Sequence, residues 1–341
     1  MIFTKILMPL LFVFGVGANL SALYMLKRQW KKIQQHIVSH TLVHLAVSDI
    51  IYLSVLGVMS WEQLTGKIIS PYLCKPKFFF DVLSQHVSAW LIVTMSHERY
   101  QAMNNPYAYN STYQTKNAIA LVFVWISGLV VSAPIGVFTA AIEEPYPDLG
   151  IRTTANTSVL HCGSTWNPVW KSVYFSSLAV MECLLPVSLM VFFYIGVFKN
   201  FLRQIRNPRS ALAHINQNRL SAVLGLIVVS FIVSYGPFYI SQMVNEFHLF
   251  ANHQVAVIYM TVVFQILTYV NSCLSPILYS GFTKKFMLIR DLADSSPPGA
   301  NYPVVTPCDD DDDNEEHKVA FVPSTSRLSC EVSNKNECTG A

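Results

Sequence analysis

Seven long apolar stretches, at roughly 3–26, 37–60, 76–97, 117–141, 172–198, 220–245 and 255–280, dominate this chain of 341 residues. Each meets the ~20-residue length that lets an α-helix cross a bilayer. Inside lipid a spanning segment must satisfy its own backbone hydrogen bonds, which a helix does. Only 13% of the residues are charged and 52% are hydrophobic, against about 25% charged in soluble domains. The mean hydropathy of +0.38 agrees. The expected fold is an all-α membrane protein, a bundle of seven transmembrane helices; a soluble core is excluded.

Loop charge sets orientation, because Lys and Arg collect on the cytoplasmic side. Lys27, Arg28, Lys31 and Lys32 follow the first stretch, and Lys116 precedes the fourth. Lys199, Arg203, Arg206, Arg209 and Arg219 separate the fifth from the sixth, and Lys284, Lys285 and Arg290 follow the seventh. All of these fall on one side, so the N-terminus is expected outside and the C-terminus inside. The first stretch follows only Lys5 and is too long for a cleaved signal, which leaves the expectation of a very short outer tail.

Asn156-Thr157-Ser158 is a glycosylation sequon on the outer side. Asn110-Ser111-Thr112 falls on the inner side and is expected to stay bare. Among the seven cysteines, Cys74 and Cys162 both face the oxidising side and are the expected disulfide. Cys183 and Cys273 read as small apolar fillers within spans. Cys308, Cys330 and Cys338 lie on the reducing side.

Three regions follow: a seven-span helical region over 1–281, a short amphipathic helix over 282–293, and a tail over 294–341. Phe282, Phe286 and Ile289 with Lys284, Lys285 and Arg290 suit a helix lying on the inner leaflet. The tail carries the acidic run Asp309–Asp313 and the hydroxyls Ser324, Thr325, Ser326 and Ser329. It reads as disordered, either a solvated spacer or a phosphorylation region.

Charge within the spans is the next constraint, since a buried ionisable group marks a functional site by default. Glu98 and Arg99 stand side by side at the inner end of the third stretch, a costly pair unless partnered. Away from them, the stretches hold three carboxylates, Asp49, Asp81 and Glu182. None has an evident Lys or Arg partner in the spans.

In order, the marks are Asn19; Leu45-Ala46-Val47-Ser48-Asp49; Cys74 through Glu98-Arg99-Tyr100; Pro106; Trp125 and Pro134; Pro186 and Tyr194; Phe231 through Tyr235-Gly236-Pro237; and Asn271-Ser272 through Pro276-Ile277-Leu278-Tyr279. Together they identify the chain as similar to rhodopsin-like (class A) G-protein-coupled receptors over roughly residues 10–292. His86-Val87-Ser88-Ala89-Trp90-Leu91 also resembles invertebrate neuropeptide receptors. Three positions depart from the family pattern. Tyr235 replaces a tryptophan, Ser275 replaces Asn or Asp before Pro276, and Gln217 replaces a Glu that pairs with the arginine, which implies raised basal activity.

The resemblance implies an extracellular ligand, a heterotrimeric G protein, and arrestin and receptor kinase at the tail, in the plasma membrane. Membrane lipid is a further partner; no nucleic acid and no catalysis are expected. It implies a switch in which Arg99, between Glu98 and Tyr100, swings toward Tyr194 and Tyr279 as Tyr235 and the prolines Pro237 and Pro276 rearrange. It places a polar group of Asn19, Asp49, Ser88, Asn271, Ser272 and Ser275 mid-bilayer, where sodium binds in the family at Asp49 and Ser88; a purely structural network is the other reading. No other cofactor is implied.

By the same resemblance the ligand pocket holds Asp81, Gln85, His86, Glu182, Phe238, Tyr239, Gln242, Gln265 and Tyr269. Asp81 stands 18 residues before Arg99, about five turns toward the outer face, with Tyr269 as its expected hydrogen-bond partner. A cationic ligand, Arg above all, would suit such carboxylates. A short cationic or amidated neuropeptide is the preferred ligand, under a long outer loop at 142–168 with Trp166. A monoamine at Asp81, or a diamine on Asp81 and Glu182, is the alternative; Leu178 and Ala179 stand where catecholamine receptors often have serines. A transporter reading lacks repeated halves, a retinal pigment lacks its lysine at Thr268–Ser272, and no hydrolase motif is present.

Overall fold

The computed structural model describes residues 2–28, 38–66, 69–104, 111–145, 158–205, 215–249 and 253–294. Seven helices in it are long and apolar enough to cross a membrane. They are α1 (Ile2–Arg28), α2 (Val38–Thr65), α3 (Cys74–Asn104), α4 (Ser111–Val137), α5, α6 (Ile215–Glu246) and α7 (Gln254–Asp294). Span α5 has three parts: α-helix over Pro168–Ala179, one π turn over Val180–Leu184, and α-helix over Leu185–Ile205. Asn167 caps it, its side chain accepting from the Val169 N–H at 3.0 Å, and Pro168 takes the first helical position, where no N–H is needed.

Among the described residues the departure from an all-helical fold is a hairpin of β1 (Thr139–Pro145) and β2 (Ser158–Ser164), antiparallel with Ala141 opposite Cys162. A bond from Cys162 to Cys74, with Cα atoms 5.4 Å apart, ties this hairpin to the start of α3. The expected disulfide is therefore formed, and the expected loop over 142–168 is partly a strand pair.

Span α3 is the axis of the fold, packed against α2, α4, α5 and α6. Its deep burial explains why this least hydrophobic of the seven spans carries so many polar side chains. By contrast α4 leaves Ile119, Val122, Phe123, Ile126 and Val130 exposed on one side, a lipid-facing surface once in a bilayer. One apolar cluster joins α1 to α6; a second, with Met8, Tyr52, Leu53, Tyr269 and Cys273, joins α1, α2 and α7. There Gly15 lets helices approach closely, since a Cβ on it would come 2.6 Å from the Cys273 sulfur.

The helical backbone of α7 runs from Gln254 to Asp294 without a break. Residues 282–293 are thus helical, but no boundary marks them as a separate eighth helix. The glycosylation candidate Asn156, the sequon at Asn110, Pro106, and the tail from residue 295 lie outside the described residues.

Candidate functional site

Two polar regions are built on α3, one toward the disulfide and one at its opposite end, with a third cluster between them beside α2 and α7.

Nearest the disulfide, Asp81 is 7% exposed. Its Oδ2 accepts from the Gln85 amide nitrogen one turn on, at 3.1 Å, while Oδ1 has no hydrogen-bond partner among the described residues. Gln85 Oε1 in turn accepts from the Tyr239 hydroxyl of α6 at 3.3 Å. The same hydroxyl is hydrogen-bonded to Oε2 of Glu182, which is 1% exposed in the π turn of α5. His86 of α3 faces the other Glu182 oxygen, Nδ1 to Oε1 3.7 Å, and its Nε2 meets Ser127 of α4 at 3.1 Å. Asp81, Gln85, Tyr239 and Glu182 therefore form one continuous chain across α3, α6 and α5. Phe238 packs edge-on against Tyr239 at 5.3 Å, and Gln242 follows one turn later, half-buried.

Tyr269 does not bond Asp81. Its hydroxyl accepts from Gln265 at 3.3 Å and reaches the Met59 sulfur, while its ring stacks on Tyr52 at 4.5 Å. Tyr52 then pairs with Thr268 at 2.6 Å. The apolar α1–α2–α7 cluster holds Tyr269 toward α2, away from α3.

Among the described residues no Lys or Arg pairs with Asp49, Asp81 or Glu182, but a basic residue does lie close by. Helix α2 extends to Thr65 and α3 begins at Cys74, so Glu62 and Lys77 join the bundle. Lys77 Nζ bonds Glu62 Oε2 at 2.7 Å, one turn from Asp81 on α3. Glu62 lies two residues past the apolar stretch 37–60, and Lys77 at the very start of 76–97. A second ion pair, Lys171 with Glu246 at 2.9 Å, joins α5 to α6 at the same end, with Ser172 also on Glu246.

In the middle cluster Asp49 is 2% exposed. Ser272 reaches its carboxylate, but Oδ2 has no partner among the described residues. Asn19 donates to the carbonyls of Gly15 and Ser272 at 3.0 and 3.1 Å and leaves its own Oδ1 without a donor. Ser88 pairs with Ser48 at 3.1 Å; Ser230 donates to Asn271 at 2.7 Å. Ser275 donates to the Asn271 carbonyl of its own helix at 3.0 Å, and so adds no bond across helices. Buried oxygens that lack a donor are what a cation or a bound water satisfies. The side chains present thus fit a cation at Asp49.

At the opposite end Glu98 is 3% exposed and accepts from Thr41 of α2 at 2.9 Å. Asn117 of α4 also reaches it, and Arg99 lies close enough to act electrostatically on both Glu98 and Tyr194. The Tyr194 hydroxyl donates to the Ser221 carbonyl of α6 at 3.5 Å, and Asn200 donates to Asn104 at 2.7 Å. Spans α3, α5 and α6 are thereby tied together here. Tyr100 packs on Phe193 at 5.8 Å and against Gly196. Tyr235 stacks on Phe231 one turn earlier at 4.3 Å, nearly parallel and buried, two residues before Pro237. Pro237 and Pro276 lie inside continuous helices. Tyr279 is placed on α7 by its backbone.

The family described as 7 transmembrane receptor (rhodopsin family) matches residues 18–279. Among curated proteins, neuropeptide Y receptor type 6 of Mus musculus is 22% identical over 80% of this chain and 75% of its own length. Galanin receptor type 1 of Rattus norvegicus is 22% identical over 83% of this chain and 79% of its own. The allatostatin-A receptor of Bombyx mori is 25% identical over 67% of this chain and 62% of its own.

Proposed function

The chain belongs to the rhodopsin family of seven-transmembrane receptors, and from that premise we propose that it is a peptide receptor in which Asp81 anchors a cationic group of the ligand. It is a multi-pass membrane receptor and not an enzyme. The observation that carries the ligand reading is the Asp81 carboxylate, buried near the disulfide-tethered hairpin with one oxygen lacking any hydrogen-bond donor among the described residues. An Arg or amine group would supply that donor and offset the charge. The peptide class is supported by relatives whose names are those of neuropeptide Y, galanin and allatostatin-A receptors. Leu178 and Ala179, buried and without hydroxyls, argue against a catecholamine.

The disulfide end is the extracellular side in this reading, by the loop charges, and the receptor sits in the plasma membrane with Asn156 glycosylated. The Arg99 end meets a heterotrimeric G protein. The tie Tyr194–Ser221 must break for α6 to move away, whereas Asn200–Asn104 holds α5 to α3 and can persist, and that gives the two arrangements a switch requires. Sodium at Asp49 with Ser88 would stabilise one of them. Arrestin and a receptor kinase act on the tail.

The test is calcium and cAMP signalling in cells expressing the receptor, challenged with amidated cationic neuropeptides and with amines. Wild type is compared with Asp81→Asn and Arg99→Ala at matched surface expression. A peptide response lost in both variants supports the proposal; one that survives Asp81→Asn removes Asp81 from the anchoring role.

A further inference from the structure

Tyr239 has one hydroxyl hydrogen and two acceptors in reach, Gln85 Oε1 and Glu182 Oε2. As placed, the Gln85 amide nitrogen faces Asp81 Oδ2. Turned, its oxygen would require Asp81 to be the neutral acid and would leave the charge on Glu182, the more deeply buried carboxylate at 1% against 7% exposure and the one farther from Lys77.

With Gln85 as placed, two proton arrangements can be counted. With Glu182 ionised, its charge would draw the Tyr239 hydrogen, and Gln85 Oε1 would be buried without a donor. Glu182 Oε1 would also be bare, because His86 Nδ1 at 3.7 Å is beyond hydrogen-bond range. A charge-assisted N–H···O bond would close to about 2.7–2.9 Å. The Ser127 hydroxyl donates to the Val124 carbonyl at 3.0 Å, so it accepts from His86 Nε2–H.

With Glu182 as the neutral acid, every link from its Oε2 to Asp81 Oδ2 has one donor and one acceptor, and the unpartnered Oε1 is an uncharged carbonyl oxygen. The Glu182 hydroxyl donates to Tyr239, Tyr239 to Gln85, and Gln85 to Asp81. The row points one way and ends on Asp81. Buried polar networks are stable when each member is satisfied in this manner and costly when one is not.

We propose that Glu182 is held as a neutral acid at the head of this one-way relay, so that the ligand site carries a single carboxylate charge, on Asp81, and takes a ligand presenting one cationic group there. This rests on the reading above that the Asp81 region is the ligand site, and it excludes the diamine that would bridge two carboxylates. The ionisable groups facing Glu182 are His86 on α3, Tyr239 and Tyr235 on α6, Tyr174 on its own helix, and Asp81 through the relay.

Infrared spectroscopy of the purified full-length receptor without ligand tests this, because a protonated carboxyl has a carbonyl stretch separate from that of a carboxylate. The expected result is one protonated-carboxyl band lost in Glu182→Gln and kept in Asp81→Asn. Loss confined to carboxylate bands in Glu182→Gln would overturn the proposal. If that variant does not fold, Tyr239→Phe serves instead. Removing the hydroxyl that accepts from Glu182 is expected to move the band, and an unmoved spectrum in the protonated-carboxyl region overturns the proposal. Either readout needs no agonist, so it stands apart from the peptide-receptor reading.

Discussion

The indole N–H of Trp90 donates to the backbone carbonyl of Met181 across α3 and α5, at 3.1 Å. That carbonyl needs it. In the π turn the Leu185 N–H bonds Val180 O instead of the Met181 oxygen. The next donor in register would be residue 186, a proline without N–H. Pro186 and the π turn together orphan the Met181 carbonyl on a surface where no water replaces the bond.

Trp90→Phe keeps the ring and removes this donor. It is expected to cost about 1–3 kcal/mol, read as a lower midpoint of thermal unfolding in detergent. An unchanged midpoint would show that the bond contributes nothing to the stability of α5.

Gly196 and Gly236 form a matched pair. A Cβ on Gly196 would collide with the Tyr100 ring, whereas one on Gly236 meets nothing within 4 Å. Gly196→Ala is expected to destabilise by about 1–3 kcal/mol through overpacking. Gly236→Ala is expected to gain up to about 1 kcal/mol from helix propensity. The same melting experiment reads both, and equal effects would contradict the close approach of α5 to Tyr100.

Lys77 and Glu62 are both largely buried, at 6% and 16% side-chain exposure. Breaking such a pair from one side strands the other charge, at a cost of about 3 kcal/mol. Lys77→Met alone is expected to lower the unfolding midpoint strongly, and Lys77→Met with Glu62→Leu to recover most of it. Additive losses in this cycle would mean the two residues are uncoupled.

Much of this was legible in the sequence, for identifiable reasons. Long apolar runs specify spans because lipid permits little else, and Cys74 and Cys162 could be paired once the side of the membrane was known. The orphaned Asp49 and Asp81 stand out as charges where charges are costly. What could not be read were contacts set by helix rotation and by helix ends. Thr41 on Glu98 joins residues on different spans with no local signal. Glu62 was missed as a partner of Lys77 because the apolar window ends at about residue 60 although the helix continues to Thr65. The Tyr269 hydroxyl was expected on Asp81, but packing against Tyr52 turned it to Gln265 and Met59. The π turn over Val180–Leu184, and the Trp90 indole that meets its Met181 carbonyl, leave no local signal in the sequence beyond Pro186.

Thr41 supplies the next test. Its hydroxyl holds Glu98 beside Arg99, and a hydrogen bond to a charged group contributes about 1.5–3 kcal/mol. Thr41→Val is expected to loosen the resting arrangement and raise ligand-independent signalling, measured as basal cAMP change at matched surface expression. Unchanged basal signalling would place Thr41 outside the switch.

The most direct measurement is a charge-removal cycle between ligand and receptor. The most potent cationic peptide from the signalling screen is compared with its citrulline analogue, in which the guanidinium is neutral, on wild type and on Asp81→Asn. Loss of a buried charge partner is expected to cost wild type at least about 2 kcal/mol, or some 30-fold in potency. Asp81→Asn should then respond equally weakly to both peptides. Losses that add, with citrulline weakening the Asp81→Asn receptor as much as wild type, would contradict Asp81 as the anchor of the ligand's cation.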